Sequence, residues 1–267
     1  TTEIYTLSLH DALPIFKNDG SVIEWLSDGA IASPLEGNDY MAVAIGCFHC
    51  LGLKSDGSIV GYNTAGGILP ATPSGNDFVA IAAGGIHCLA LKKDGSLAGW
   101  TISSYGSSDV PTGNDFRSIA AGYYHSLALK KDGSIVGWGN NNYNIATPPE
   151  GNDYVAISAG YNHSVALKSD GTVVCWGGNQ YGQCNAPSGT TFVAISAGKN
   201  HSVALKSDGT VVCWGFNRYG EAPAPNPLGK EFIDISGGSR HALELKADGS
   251  LVAWGDNSEG QTNVPSG

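Results

Sequence analysis

Phe116-Arg-Ser-Ile-Ala-Ala-Gly-Tyr-Tyr-His125-Ser-Leu-Ala-Leu-Lys-Lys-Asp132-Gly-Ser-Ile-Val-Gly-Trp138-Gly139 is the stretch whose pattern decides the fold. Short runs of β-formers alternate along it and no apolar spacing of 3.6 residues occurs, which excludes a helical repeat. The Asp132-Gly133 pair between two such runs is a hairpin signal, because tight hairpin turns need positive φ. The stretch predicts strands over Phe116–Ala121, His125–Lys130 and Ser134–Trp138. A brief fourth strand is expected after the loop Asn140–Asn144.

The same pattern recurs along almost the whole chain, and a fixed period of this length points to a repeat architecture. His49, His87, His125, His163 and His201 are 38 residues apart, and His241 follows 40 residues later. Thirteen residues after each His stands an aromatic: Tyr62, Trp100, Trp138, Trp176, Trp214 and Trp254. A seventh Asp-Gly (Asp19-Gly20) and a seventh aromatic (Trp25) open the series without a His in register. Leu127 and Leu129 point to one side of the second strand, Ser126 and Ala128 to the other, so each sheet must be covered on both faces. Radial stacking does this, and a crowded centre favours the recurring Ala and Gly. The expectation is an all-β, seven-bladed β-propeller of four-stranded antiparallel blades, the first blade incomplete. A β-solenoid is the alternative. Residues 1–15 read as foreign to the array and 16–267 as a single propeller, the whole being a fragment or a processed product.

Composition narrows the function classes. Among 267 residues, 38 are Gly, and only 14% are charged against 42% hydrophobic, which fits a packed fold rather than a disordered polyelectrolyte. The net charge of −10 argues against a nucleic-acid partner. No stretch of about 18 apolar residues occurs, so no membrane span is expected.

At the repeats the chain resembles the regulator of chromosome condensation repeat family. The matching signature is Ala-Gly-x-x-His-Ser-x-Ala-Leu-Lys-x-Asp-Gly-x-Val-x-x-Trp-Gly-x-Asn-x-x-Gly-Gln, nearly complete from Ala159 and from Ala197, where Glu221 replaces the Gln. Trp254-Gly-Asp-Asn-Ser-Glu-Gly-Gln261 matches its later half. The resemblance covers residues 17–267 and implies a seven-bladed propeller. The founding type exchanges guanine nucleotide through a wedge-like insertion in one blade and a basic tail, and repeats of 38–40 residues leave room for neither. The chain looks most like compact bacterial propellers, among them secreted inhibitors that cap β-lactamases with one face. In those the residue before each His tends to be aromatic. Phe48 and Tyr124 keep that habit, while Ile86, Asn162, Asn200 and Arg240 depart from it.

Residues that recur once per repeat are read as structural. Six equivalent His suit a backbone-bonded core column better than a catalytic base. Each Asp-Gly turn brings one carboxylate, too few for calcium, and is read as partly neutralised by the Lys two residues earlier. The Trp series reads as packing between blades. Cys50 with Cys88 and Cys175 with Cys213 read as buried thiols. Cys175 and Cys184 flank one loop and face each other across it, as a disulfide or as two thiols. Cys47 and Cys50 lack partners for zinc. No cofactor or metal is expected.

Variation is concentrated on one face. The turns before each His and the loops after each Trp share it, while the Asp-Gly turns and the linkers share the other. Variable residues on a rigid repeat are how such folds build partner surfaces. The expected binding residues are Phe48, Ile86, Tyr124, Asn142, Tyr143, Asn162, Tyr181, Asn200, Arg218, Tyr219 and Arg240. The function expected is that of a non-enzymatic, monomeric scaffold, secreted or at a cell surface, that binds another protein. Alternatives are an enzyme inhibitor of the β-lactamase-inhibitor type, a lectin with equivalent sets in each blade, or an enzyme with a unique cluster at the axis.

Overall fold

The computed structural model describes residues 13–16, 22–25, 31–32, 37–47, 49–63, 71–101, 109–222 and 231–264. Within them the chain is an all-β repeat fold of seven consecutive three-stranded antiparallel sheets. The quoted stretch folds into Phe116–Ala121, His125–Lys130 and Ile135–Gly139, so two predicted strands match and the third is shifted by one residue. The next two sheets repeat it: Tyr154–Ala159, His163–Lys168 and Val173–Gly177, then Phe192–Ala197, His201–Lys206 and Val211–Gly215. Ile157, Ile195 and Ile235 stand at matching register positions of their first strands. In all six full repeats the register slips between the first and third residues of the first strand. This bulge turns the second residue outward.

The expected fourth strand is a point of difference. Beyond Gly139 the chain enters a 3-10 turn at Asn142–Asn144, with Tyr143 and Asn144 at positive φ, and no ladder follows. Ile145 and Ala146 are nonetheless buried alongside the third strand, where a side chain at Gly137 would meet the Ala146 carbonyl. Thr147-Pro148-Pro149 comes next, and proline removes the donors that a ladder needs. The first sheet differs: Leu13–Phe16, Val22–Trp25 and Ile31–Ala32 pair in that order. Trp25 lies in the middle strand of that sheet, whereas the corresponding Trp of later repeats lies in the third. The expected foreign segment 1–15 lies outside the described residues up to position 12, and its last three residues pair with Ile23–Trp25.

The first strands of six sheets line one cavity of 370 Å³ with aliphatic and small side chains, including Ala42, Ile81, Ile119, Ile157, Ile195 and Ile235. The sheets therefore radiate from a common centre. Small residues are required there: a side chain added at Gly160 would meet the Gly198 carbonyl of the next repeat and the His163 ring.

Neighbouring sheets are joined by apolar packing and by a short polar relay. Leu127, Leu129 and Ile135 of one repeat pack with Tyr154, Ala166 and Trp176 of the next, so the Trp series does fill the space between sheets. The histidines are fully buried; His49, His163 and His201 meet the backbone of the next repeat's His, as expected, and a serine hydroxyl serves three of the series as well. His87, His125 and His163 each place Nε2 2.9 Å from the hydroxyl of Ser126, Ser164 or Ser202 in the following repeat. The Ser164 and Ser202 hydroxyls donate onward to the carbonyls of Ile145 and Gln183. With those hydroxyl protons committed, the Nε2–H of His125 and His163 must be the donor. The same two carbonyls accept the indole N–H of Trp176 and Trp214. Burial holds His49 and His163 at about 4 and His87, His125 and His201 at about 3, so all five are neutral imidazoles at physiological pH.

Candidate interaction face

Hydrogen bonds fix the two loop sets on one face. The N–H groups of Asn140, Gly178, Phe216 and Asp256 donate to the carbonyls of Tyr124, Asn162, Asn200 and Arg240. Each loop after a Trp is thereby tied to the turn before the His of the same repeat. Inside the loop 178–185, Asn179 Oδ1 accepts the Cys184 N–H and Gln183 Oε1 accepts the Tyr181 N–H, both at 2.9 Å. Asn217 and Glu221, and Asn257 and Gln261, repeat the arrangement. These loops are held by their own polar side chains, and the aromatic tip is left outside.

The expected binding residues fall into groups. Tyr124 stands 4.3 Å, ring to ring, from Tyr123, which is itself 4.3 Å from Tyr161. Tyr181 lies 4.9 Å from Phe216, which is 6.3 Å from Tyr219. Tyr143 links its loop to the next through its hydroxyl, which accepts from Gln180 Nε2 at 3.3 Å. Tyr143, Tyr181 and Tyr219 are 56%, 50% and 40% exposed, high for residues held by rigid loops. Asn142 is exposed beside Tyr143, and Ile86 and Asn162 are half-buried in their turns. Asn200, Arg218 and Arg240 surround one 210 Å³ pocket with Tyr181 and Tyr219. Phe48 lies outside the described residues.

Tyr123, Tyr161, Phe216 and Lys199 belong to these clusters and are absent from the expected set. Three of them stand two residues before the His, and the backbone N–H at that position reaches the next repeat: Tyr123 to Gly160, Tyr161 to Lys199, Lys199 to Gly238. The position thus leans across the repeat boundary, a feature that its constant spacing two residues before the His marks in the sequence. Burial, followed by the charges of Cys47 and Tyr124, pushes the Tyr123 phenol up to about 12. Burial likewise raises the Cys47 thiol to about 12 against the opposing pull of Lys199. These groups are inert at neutral pH.

The opposite face is made of Asp-Gly turns and linkers. Asp132 Oδ1 accepts both the N–H and the hydroxyl of Ser134, which identifies a plain turn. The Ser134 hydrogen bonds, and with them the charge of Lys130, hold the Asp132 carboxyl below its usual range, in keeping with the expected partial neutralisation; the close ion pair of this Lys is with another acid. Lys54, Lys92, Lys130 and Lys168 reach instead the linker carboxylates of Asp39, Asp77, Asp115 and Asp153 at 3.1–3.4 Å. Each also lies over the first aromatic of its repeat, as Lys130 does 5.7 Å from the Phe116 ring. The bulged residues Met41, Val79, Val155, Val193 and Ile233 add exposed apolar side chains that the repeat pattern did not advertise. At the equivalent place Arg117 donates to the carbonyls of Lys130 and Tyr154.

Cys175 and Cys184 face each other across their loop as free thiols, sulfurs 2.7 Å apart. No described group of three or more His, Cys, Asp or Glu could hold a metal ion. No helix among the described residues is long and apolar enough to cross a membrane.

The family model for the regulator of chromosome condensation (RCC1) repeat matches four segments, residues 116–145, 154–183, 192–221 and 232–261. No curated protein matches the chain. Among solved structures, the CRINKLY ectodomain of the Arabidopsis thaliana receptor kinase ACR4 is similar, with a TM-score of 0.75 and 23% identity, covering 91% of this chain and 90% of that one. The ectodomain of the Physcomitrella patens receptor kinase CR4 gives 0.74 and 22%, over 91% of this chain and 70% of that one. Yeast RCC1 (Prp20), solved bound to Kap60, gives 0.71 and 20%, over 86% and 73%. At these identities the likeness is one of fold.

Proposed function

Because this chain belongs to the RCC1 repeat family, we propose that it is a non-enzymatic β-propeller of seven blades whose loop face binds a partner protein. Seven sheets, six of which line a common cavity, support the closed ring. The strands Leu13–Phe16, Val22–Trp25 and Ile31–Ala32 then stand as the second to fourth strands of the opening blade. The observation that carries the functional reading is the contrast between faces: one repeats the same Lys–Asp pairs, and the other holds tyrosines exposed on loops that differ in every repeat. Tyr and Arg are the side chains that most often anchor interfaces. The central cavity is walled by aliphatic and small residues with two serines, a poor setting for acid–base chemistry. Yeast RCC1, which shares this fold, was solved bound to a protein, Kap60, and the reading of a protein partner is consistent with that.

The test compares the wild-type chain with a folded Tyr143→Ser/Tyr181→Ser/Tyr219→Ser variant as bait, with cross-links mapped by mass spectrometry. A partner retained by the wild type, cross-linked to the loop face and lost from the variant supports the reading. Equal retention by both, or cross-links confined to the Asp-Gly face, overturns it.

A further inference from the structure

On a chain of net charge −10, the positive charge that the described residues place on the loop face is gathered at one spot. Most of the other described Lys sit at the Asp-Gly turns, and Arg117 is committed to two carbonyls at the opposite end. The remaining described cations are Lys199, Arg218 and Arg240, and all three line the 210 Å³ pocket between the repeats that carry His201 and His241. Tyr181, Asn200, His201, Phe216, Tyr219 and Ser239 complete the wall. Arg240 and Arg218 lie over the Tyr219 ring at 5.1 and 5.8 Å, so aromatic stacking presents both guanidinium groups beside one phenol. Lys199 lies 5.4 Å from the Tyr161 ring. The one carboxylate in contact is Asp256, 3.6 Å from Arg240; among the described residues neither Lys199 nor Arg218 pairs with an acid. Two unpaired cations and one shared cation therefore converge on a half-enclosed, aromatic-walled recess.

We propose that this pocket receives an acidic side chain, Glu or Asp, from a loop of the partner protein. The proposal rests on the protein-binding reading of this face and names the chemistry of its anchor. Guanidinium forks match carboxylates, and rings beside them exclude water and strengthen the contact. The pocket is smaller than the ~300–1,000 Å³ usual for small-molecule and cofactor sites, and its size suits one or two protein side chains. A nucleic-acid strand needs a long cationic track, and three cations at one spot on an acidic chain do not make one. The Tyr181 and Phe216 rings next to the cations favour a partner residue that is apolar beside the acidic one.

The experiment pans a phage-displayed library of random dodecapeptides on the immobilised full chain. Selected peptides are then measured by fluorescence anisotropy against wild type, Lys199→Gln, Arg218→Gln and Tyr124→Ser/Tyr143→Ser. The two single substitutions touch exposed or half-exposed side chains without ion pairs, so they leave the fold intact. The expected result is a shared Glu or Asp whose replacement by Gln or Asn weakens binding at least tenfold, an equal loss in Lys199→Gln or Arg218→Gln, and weakening by added salt. Inorganic phosphate and a heparin hexasaccharide serve as competitors, and tighter binding of either than of the selected peptides overturns the proposal in favour of an oxyanion site. Peptides without an essential carboxylate, held equally by the charge variants but lost from Tyr124→Ser/Tyr143→Ser, overturn the pocket and leave the binding face standing. Peptides insensitive to every variant, or no enrichment at all, overturn both.

Discussion

Ala242 breaks the polar relay between sheets, and restoring it is expected to stabilise the chain. His87, His125 and His163 each meet a serine hydroxyl in the following repeat, but the residue that should serve His201 is Ala242, and His201 Nε2 is buried without a partner. The rest of the site is in place. Ala242 is fully buried, faces Gly237 and Trp254 in the ladder as Ser202 faces Ala197 and Trp214, and the Glu221 carbonyl already accepts the Trp254 indole N–H at 3.2 Å. In the two preceding repeats that carbonyl position accepts a Ser hydroxyl as well as the indole. Ala242→Ser would thus give His201 a partner and hand the new hydroxyl proton to Glu221, whose carbonyl has a second lone pair available.

A net intramolecular hydrogen bond is worth about 0.5–1.5 kcal/mol, and the gain from satisfying this orphaned buried nitrogen is about 1 kcal/mol. For a chain of this size that corresponds to a rise of roughly 2–4 °C in the unfolding midpoint. Guanidinium unfolding followed by tryptophan fluorescence, run as a double-mutant cycle with His201→Leu, isolates the pair. The hydroxyl should stabilise only when the imidazole is present, and with leucine at 201 it should be neutral or destabilising. An Ala242→Ser variant no more stable than wild type, or one that gains equally in both backgrounds, would refute the relay as an energetic link.

Acid should unfold the protein through the same column. Five histidines have folded pKa values near 3–4 and return to about 6.5 when unfolded, so below that pH the unfolded chain takes up protons first. Stability is complete above pH 6.5 and is lost as the pH falls toward 4, with a limiting slope of about 1.4 kcal/mol per pH unit for each His; a flat profile between pH 7 and 5 would contradict the burial. Glu244 has the opposite sign: it stands where other repeats have Ala or Gly, both its oxygens are buried without partners, and burial raises its carboxyl to about 8. Its proton stabilises the fold below that value and the advantage disappears as the pH rises through 8, so Glu244→Ala should raise stability by about 1–3 kcal/mol at pH 9 and by less at pH 5, read from denaturant midpoints. Glutathione disulfide should oxidise Cys175 and Cys184 to a loop-closing disulfide, their two protons and two electrons passing to the reagent; peptide mapping that finds Cys50 or Cys88 oxidised first would overturn this.

How far the sequence could be read depended on whether a feature repeats. The strands Phe116–Ala121 and His125–Lys130 were legible to the residue, since six copies of one pattern cancel local ambiguity. The serine that meets the His was not. It lies in the next repeat, 39 residues away, and only the comparison of Ser126, Ser164 and Ser202 with Cys88 and Ala242 shows which histidines are served. The ion pair of Lys130 was hidden for a related reason: sequence proximity points to Asp132, whose charge it does help to offset, while the hairpin brings its amine back over Phe116 to Asp115. The fourth strand failed because Ile145 and Ala146 have the burial of a strand and are followed by prolines that deny them a ladder.

The edge segment that lost its ladder is also what separates scaffold from surface. Its residues Ile145, Gln183 and Glu221 turn their carbonyls toward the Trp of the next repeat, and Ile145 and Gln183 also take its Ser hydroxyl where one is present; the side chains of Gln183 and Glu221 secure the N–H of Tyr181 and Tyr219. One short stretch thus locks neighbouring sheets together and sets the base of the loop that carries the exposed tyrosine. Side chains beyond that base can change without touching the relay, which explains how residues 140–144, 178–182 and 216–220 differ while the strands beneath them stay nearly identical. A loop fixed at its base also loses little conformational freedom on meeting a partner, so the exposed rings and the Lys199–Arg218–Arg240 recess are held ready for binding rather than assembled by it.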